Sequence, residues 1–123
     1  MNIRIALADD QALIRSGLAA LLGGLPGLEV SAQAADGAAL LAAVATASVE
    51  VIVSDIRMPR MSGLELVRAL RERGDATPVL LLTTFDDPGL LQAARAAGAQ
   101  GYLLKDAAPE ELLAAIRALA AGQ

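Results

Sequence analysis

The chain contains no cysteine, no histidine and no tryptophan, and each absence excludes a class of site. Without cysteine there is no disulfide, no thiol catalysis and no thiolate metal site. Without histidine there is no catalytic triad, no imidazole-ligated metal and no phosphohistidine on this chain. Phe85 and Tyr102 are the only aromatic residues, so a stacked base or an enclosed flavin ring would lack partners.

Long runs of one kind are also absent. Hydrophobic residues make up 55% of the chain, but no window approaches the roughly 20 apolar residues of a membrane helix. No signal peptide is visible before the first strand pattern, so we expect a cytoplasmic protein with no membrane association. The net charge is −4 and the ten Lys and Arg residues form no basic run, which argues against nucleic-acid binding by this chain alone.

Short apolar runs alternate with helical patterns along all 123 residues, a length that suits one domain over residues 1–123. Such alternation predicts a (βα)5 α/β fold, in which helices cover both faces of a parallel five-stranded sheet. The predicted strands are Ile3–Ala8, 28–33, Val51–Ser54, Val79–Leu82 and Gly101–Leu104.

The second predicted strand differs from the others because polar residues alternate with its apolar residues. Leu28, Val30 and Ala32 are apolar, whereas the residues between them are polar. This period of two indicates a strand with one solvent-exposed face, most simply at a sheet edge. It fits the strand order 2-1-3-4-5, whose ligand-binding switch point lies between the carboxyl ends of strands 1 and 3.

Helix boundaries are indicated by caps and breakers. The first helix carries Ile14, Leu18, Leu21 and Leu22 at helical spacing and ends at Gly23-Gly24. Asp86-Asp87-Pro88 predicts the start of the fourth helix. The third helix interleaves charges of both signs, which we interpret as a solvated face; these residues are Glu65, Arg68, Arg71, Glu72 and Arg73.

One carboxylate follows the central apolar run directly. Asp55 comes after three branched aliphatic residues and Ser54, and the motifs Met58-Pro59 and Ser62-Gly63 then predict a loop. A buried strand that ends on a carboxylate presents a nucleophile or a metal ligand at the carboxyl edge of a parallel sheet. The alternative is an ordinary turn or capping aspartate.

Other predicted strands end on complementary groups. Asp9 and Asp10 follow the first strand, Thr83 the fourth and Lys105 the fifth. Singly, such residues are usually caps, strand residues or surface lysines. Together, the three carboxylates would repel one another unless a cation relieves them, and Mg2+ accepts carboxylate oxygens. The ammonium and the hydroxyl suit a phosphate group.

These motifs resemble the receiver domains of bacterial two-component response regulators, and the resemblance covers essentially the whole chain. It rests on Asp9-Asp10, the Asp55-x-x-Met58-Pro59 loop, Thr83 and Lys105, with Tyr102 three residues before the lysine. Three segments further resemble the NarL/FixJ (LuxR-type) subfamily: residues 9–15, 82–87 and 101–106. The fold implied is CheY-like, a flavodoxin-like arrangement with strand order 2-1-3-4-5.

The resemblance implies a role for each site residue. Asp55 would accept a phosphoryl group from the phosphohistidine of a sensor histidine kinase. Asp10 and Asp55 would bind Mg2+ directly with the backbone carbonyl of Arg57, and Asp9 would act through water. Lys105 would neutralise the phosphoryl group. Beyond Mg2+-dependent self-phosphorylation and autodephosphorylation, no enzymatic activity is expected.

The resemblance also implies a switch. Thr83 would close onto a phosphate oxygen, and Tyr102 would fill the vacated space, although Tyr102 is equally well explained as an edge-strand aromatic. Arg57 and Phe85 would overlook the site and influence the lifetime of the phosphorylated state. Asp106 stands where many receivers have proline, which leaves the peptide geometry after Lys105 open. Ala108 supplies no capping side chain to the last helix.

NarL/FixJ proteins carry a C-terminal helix-turn-helix domain, and none is present in these 123 residues. We therefore expect the receiver of a longer transcription factor that contacts DNA only through that other domain; the alternative is a stand-alone receiver that signals by protein contact. A weak homodimer, strengthened by phosphorylation, is expected through either helix 4, strand 5 and helix 5, or helix 1 and the alanine-rich helix 5.

Two other classes share parts of the pattern. A phosphatase of the haloacid-dehalogenase kind would have Asp-x-Asp after its first strand, whereas this chain has Asp9-Asp10-Gln11. A flavodoxin would need a hydroxyl-rich phosphate loop at the same place and aromatic residues for the flavin. The sequence provides neither.

Overall fold

In the computed structural model, which describes residues 2–84 and 87–122, five strands alternate with five helices, as predicted. The strands are β1 (Ile3–Ala8), β2 (Leu28–Ala34), β3 (Val51–Asp55), β4 (Val79–Thr83) and β5 (Gly101–Leu104). The helices are α1 (Ala12–Gly24), α2 (Gly37–Thr46), α3 (Gly63–Glu72), α4 (Pro88–Ala97) and α5 (Pro109–Ala120). Within the described ranges, no helix has the length and apolar character needed to cross a membrane.

The strands form one parallel sheet in the order β2-β1-β3-β4-β5, which confirms the predicted topology. β2 lies at an edge and alternates between buried and exposed side chains, as its sequence pattern predicts. β3 lies at the centre, and all five of its residues are buried. The sheet therefore brings the carboxyl ends of β1, β3 and β4 side by side.

Helices pack on both faces of the sheet, and the central strands contribute buried side chains to each face. Ile52 joins the cluster that contains Leu40, Leu66 and Leu70 from α2 and α3. Its neighbour Val53 points to the other cluster, which α1 and α5 complete. This explains why β3 and β4 read as continuous apolar runs rather than alternating ones.

Three strands extend one residue beyond their predicted ends, and one of them is β2, which includes Ala34. β3 includes Asp55 and β4 includes Thr83, because the sheet hydrogen bonding continues past both residues. The Ile56 amide donates to the Leu82 carbonyl at 3.2 Å, and the Lys105 amide donates to the Thr83 carbonyl at 2.7 Å. Asp55 and Thr83 are therefore held on the rigid sheet itself rather than on loops.

The caps agree with most of the sequence signals. Asp36 caps α2, and Asp87 caps α4, while Asp86 and Phe85 lie outside the described residues. Ala108 gives α5 no side-chain cap, although the Glu111 carboxylate accepts a hydrogen bond from the Ala108 amide. The peptide bond between Lys105 and Asp106 is trans.

The predicted solvated face of α3 is correct except at one position. Glu65, Arg68, Glu72 and Arg73 are exposed. Arg71 instead donates to the carbonyl oxygens of Asp75, Thr77 and Gly98 and to the Gln100 side chain, at 2.8–3.2 Å. We call this arrangement the Arg71 clamp; it joins the end of α3 to the loops that enter β4 and β5.

The apolar residues of α1 are also less buried than a core stripe would be. Leu22 is fully buried, but Ile14 and Leu21 are 40% and 39% exposed, and Leu13 is 87% exposed. These three side chains therefore lie at the surface of α1 rather than in the core.

Candidate functional site

The site lies at the carboxyl edge of the sheet, where the predicted residues converge. Asp55 ends β3 and Thr83 ends β4, while Asp9 and Asp10 directly follow β1 and Lys105 directly follows β5. Because the strands are parallel neighbours, these ends meet at one edge, at the switch point between β1 and β3.

A single ammonium group connects two of the carboxylates. The Lys105 Nζ lies 3.0 Å from Asp9 Oδ2 and 3.1 Å from Asp55 Oδ2. The side chains of Asp9 and Asp55 are 1% and 11% exposed, so both charges are largely removed from water. Ion pairs between groups this buried have defined geometry, unlike exposed pairs.

Asp10 completes an acidic cluster with Asp9 and Asp55. One carboxylate oxygen of each residue lies within 4.8 Å of the others, and Asp10 is exposed whereas its two neighbours are buried. Lys105 compensates only part of this negative charge. Three clustered carboxylates beside an open cleft are a donor set that fits a hard divalent cation such as Mg2+.

Both Asp9 oxygens already have partners. Oδ1 accepts a hydrogen bond from the Gln11 amide at 3.0 Å, and Oδ2 accepts one from Lys105. The Arg15 guanidinium also donates to the Asp9 backbone carbonyl at 2.7 Å. No role was predicted for Arg15 from the sequence. The one signal that could have indicated this contact is its position six residues after Asp9, in the first turns of α1.

Burial dominates the ionisation of Asp55. It raises the pKa of this carboxyl above its ordinary value; the Asp9 carboxylate adds to the rise, and the hydrogen bond from Lys105 opposes it. Partial burial acts to lower the pKa of Lys105, but its hydrogen bonds with Asp9 and Asp55 outweigh that effect and raise it. Lys105 is therefore a cation at neutral pH, fixed between two carboxylates.

An open cleft of about 240 Å³ gives access to these groups. Its walls are formed by Asp10, Gln11, Asp55, Arg57, Thr83, Thr84 and Lys105. Of the residues predicted for the site, Asp9 and Tyr102 do not line this cleft: Asp9 lies buried behind it, paired with Lys105, whereas Tyr102 lies elsewhere. It pairs with Leu81 across β4 and β5, half-buried, and borders a separate cavity with Leu91.

The loop between β3 and α3 has contacts that the sequence did not predict. The Arg60 guanidinium binds the carboxylate of Asp36, and the Gly37 amide donates to the Met61 carbonyl at 3.0 Å. Asp36-Gly37 predicted only a helix start, and no local signal connects it with a loop 24 residues later.

Comparison with known proteins agrees with this geometry. The protein-family model described as the response regulator receiver domain matches residues 5–117 of this chain. The chain is 43% identical over 120 residues to the transcriptional regulatory protein UhpA of Escherichia coli (strain K12), covering 98% of this chain and 60% of UhpA.

Solved structures give the same result. The signal receiver domain of the response regulator NarL from Mycobacterium tuberculosis matches with a TM-score of 0.94 at 34% identity, covering 99% of this chain and 98% of that one. A LuxR-family response regulator from Aurantimonas matches with a TM-score of 0.94 at 32% identity, covering 100% and 88%.

The similarity to full-length relatives is confined to one part of them, since the chain spans 56% of the length of the Bacillus subtilis regulator YxjL and 60% of UhpA. The family model covers residues 5–117, the receiver domain of NarL has the same fold over 99% of this chain, and the acidic cluster lies within the matched residues. The chain belongs to the response regulator receiver domain family, and within it is most similar to regulators of the NarL/LuxR group.

Proposed function

We propose that this chain is the phosphoacceptor domain of a two-component response regulator and that Asp55 accepts the phosphoryl group. The observation that carries the proposal is the Lys105 ammonium, which lies 3.1 Å from Asp55 at the mouth of the acidic cleft. Phosphoryl transfer needs a nucleophilic oxygen beside fixed positive charge, and this arrangement supplies both. Receiver domains are not classical enzymes, and the family implies a sensor histidine kinase as the partner.

In the proposed reaction, a carboxylate oxygen of Asp55 attacks the phosphorus of a phosphohistidine in line with the leaving nitrogen. The new P–O bond forms an acyl phosphate, the P–N bond breaks, and its electron pair leaves with the imidazole of the donor. Lys105 favours the ionised, nucleophilic form of Asp55. After transfer, its ammonium offsets the added negative charge of the phosphoryl oxygens.

Mg2+ would supply electrostatic stabilisation of the phosphoryl oxygens when bound. Asp10, Asp55 and the backbone carbonyl of Arg57 would bind it directly. Asp9 is better suited to act through a water molecule, because the Gln11 amide and Lys105 already occupy its two oxygens. A cation that retains several waters is compatible with this division.

The same proposal assigns a switch to Thr83. Its side chain is buried at the end of β4, next to the cleft. Phosphorylation adds strong acceptor oxygens at Asp55, and the Thr83 hydroxyl can donate to one of them only in that state. Tyr102, on the neighbouring strand, would then repack as Thr83 moves.

The output concerns parts of the protein beyond the receiver. We infer that a C-terminal helix-turn-helix domain binds DNA and regulates transcription in the full-length, cytoplasmic protein, because UhpA and YxjL are described as transcriptional regulatory proteins. The alternative is a stand-alone receiver that acts by protein contact. Phosphorylation would strengthen a weak homodimer, and sedimentation velocity with and without beryllofluoride measures that effect.

Phosphorylation by a small donor tests the central proposal. With acetyl phosphate and Mg2+, intact-mass spectrometry should show one phosphoryl adduct on the wild type and none on Asp55→Asn. Asp106→Asn is the matched control, because it removes an exposed carboxylate beside Lys105 and should be labelled normally. Full labelling of Asp55→Asn would refute the assignment.

A further inference from the structure

We infer that Asp36 and Arg60 are positioning residues for the phosphoryl-transfer site, an inference that rests on the proposed function. Neither residue lines the cleft. Their ion pair instead holds the loop of residues 57–62, which leads from β3 to α3 and carries the Arg57 carbonyl at its start.

The Asp36 carboxylate joins two elements with its two oxygens. Oδ2 accepts hydrogen bonds from Arg60, at 2.8 Å from Nε and 2.7 Å from the terminal Nη2. Oδ1 accepts from the Ala39 amide at 2.8 Å and so caps α2. The Asp36 side chain is 8% exposed and the Arg60 side chain 68% exposed. The carboxylate is therefore fixed in a buried position by its cap, and the guanidinium reaches it from the solvent side with two nitrogen atoms. The pair therefore fixes the loop to the start of a packed helix.

The backbone of Arg60 adopts a conformation that needs such a restraint. Its φ angle is 65°, the only positive value at a non-glycine residue among the described ones. L-residues with a side chain disfavour this left-handed region, and they remain there when the surroundings determine it. The contact with Asp36 supplies that determination.

A second contact lies directly beside the ion pair. The Gly37 amide donates to the Met61 carbonyl at 3.0 Å, and a Cβ at residue 37 would lie 2.8 Å from that carbonyl oxygen. The loop can approach α2 this closely because residue 37 is glycine. Residues 60 and 61 are thus both attached to the start of α2.

The other end of the loop is attached to β3. The Gly63 amide donates to the Ile56 carbonyl at 2.8 Å, and a Cβ at residue 63 would overlap the Asp55 carbonyl. The loop is consequently fixed on both sides of the segment that follows Asp55. Its first residue, Arg57, also donates its backbone amide to the Asp55 carboxylate.

Backbone placement matters here because a carbonyl ligand has no side-chain torsion with which to adjust. Its position depends on the loop alone, and groups that orient a ligand affect metal affinity without touching the metal. Loss of the Asp36–Arg60 pair would detach residue 60 from the start of α2, so residues 57–62 would be less restrained and the Arg57 carbonyl would no longer be held in one position.

Two single variants and their combination test this inference. Arg60→Gly removes the guanidinium, and glycine accepts the positive φ. Asp36→Asn keeps one oxygen for the cap and presents an amide donor to Arg60. The double variant has the wild-type net charge.

Two further variants serve as controls. Glu50→Gln breaks the exposed Arg4–Glu50 pair near the amino ends of the strands, and it is the control for a lost ion pair. Asp10→Asn, which removes a proposed ligand, is the reference for lost metal affinity.

Two quantities are measured on each protein. In metal-free protein, we expect the amides of Arg57 and Gly63 to exchange faster with solvent in the three Asp36/Arg60 variants, with β4 amides unchanged. In calorimetric titrations, the Kd for Mg2+ should rise about tenfold in each single variant and by no more in the double variant, since one interaction is lost. Glu50→Gln should leave both quantities unchanged, and Asp10→Asn should weaken Mg2+ binding without faster loop exchange.

Other results of these measurements would overturn either the role of Asp36 and Arg60 or the proposed function. Wild-type exchange and Mg2+ affinity in Arg60→Gly and Asp36→Asn would overturn the inference. Tighter Mg2+ binding by Arg60→Gly, weaker binding by Asp36→Asn and wild-type affinity in the double variant would also overturn it, because long-range charge would then explain the single variants. A wild-type protein that binds Mg2+ but takes no phosphoryl group on Asp55 would overturn the proposed function alone; unaltered variants in a wild-type protein that is phosphorylated would overturn this inference alone.

Discussion

Two charged clusters at opposite edges of the sheet differ in how their charge is compensated. At the carboxyl edge, Asp9, Asp10 and Asp55 share the single ammonium of Lys105. At the amino edge, the one guanidinium of the Arg71 clamp is surrounded by four oxygen acceptors. The first cluster has negative charge in excess and opens into a cleft, whereas the second is saturated by groups of the chain itself.

This difference indicates that the acidic cluster serves ligand binding and that the Arg71 clamp serves stability. The carboxyl edge retains negative charge that a bound cation can balance, and burial raises the pKa of Asp55 because it penalises the ionised form. The Arg71 guanidinium has its hydrogen bonds satisfied by oxygens of the chain itself, so the clamp contributes to folding and has no donors directed at a ligand. The following changes should act on one edge and leave the other unaffected.

Lys105→Ala should have the largest effect on the reaction. Removing the ammonium takes away the fixed positive charge beside Asp55, and loss of such a group slows a reaction on the order of 10²–10³-fold. The rate of labelling by acetyl phosphate, followed by mass spectrometry at saturating Mg2+, measures it. Arg117→Ala changes the net charge equally, away from the cleft, and should react at the wild-type rate; equal rates for the two variants would contradict the role of Lys105.

Arg71→Ala should have the largest effect on stability. It leaves the carbonyl groups of Asp75, Thr77 and Gly98 without their charged donor, and we expect the free energy of unfolding to fall by about 3 kcal/mol. Urea denaturation measures this change. Arg68→Ala, on an exposed position of the same helix, should stay within about 0.5 kcal/mol of the wild type. Equal losses would show that the clamp has no special role.

Asp55→Asn should raise the melting temperature of the metal-free protein at neutral pH. Because burial raises the pKa of Asp55, the folded state holds this proton more tightly than the unfolded state does. Stability is therefore lost as the pH rises from the unfolded value of 3.8 through the raised folded value, and the amide avoids that loss. The difference in melting temperature between the two proteins should grow across this window and then level off.

Asp36→Asn should change the melting temperature in the opposite direction to Asp55→Asn. The Ala39 amide and then the Arg60 guanidinium hold the pKa of Asp36 below its ordinary value. This carboxylate stabilises the fold above the unfolded value of 3.8, and its contribution is lost as the pH falls through the lowered folded value. The melting temperature of Asp36→Asn should therefore be below that of the wild type at neutral pH; a shift in the same direction as Asp55→Asn would contradict the assignment.

The sequence predicted the strand order and the convergence of the acidic cluster for one physical reason. Parallel strands present their carboxyl ends at one edge, so residues that end or follow neighbouring strands must meet. Asp9, Asp55 and Lys105 are far apart in the chain but follow this rule, and their placement needed no detailed side-chain packing. The strand ends were predicted one residue short because hydrogen bonding from the next strand, not local propensity, decides where β3 and β4 stop.

Contacts between loops could not be predicted in the same way. Arg71 has the spacing of a solvated helix residue, and its partners are backbone carbonyls with no sequence signature. The Asp36–Arg60 pair depends on a positive φ at an arginine, which sequence propensity disfavours. Both contacts arise from the tertiary arrangement of loops, which residue types alone do not determine.

The most direct test of the account is to locate the phosphoryl group among the three clustered carboxylates. After labelling with acetyl phosphate and Mg2+, borohydride reduction converts an acyl phosphate to an alcohol, and peptide mapping then identifies the modified residue. We predict modification of Asp55 alone, and none when Mg2+ is removed. Modification of Asp9 or Asp10, or labelling of Asp55 that does not depend on the metal, would contradict the division of roles within the acidic cluster.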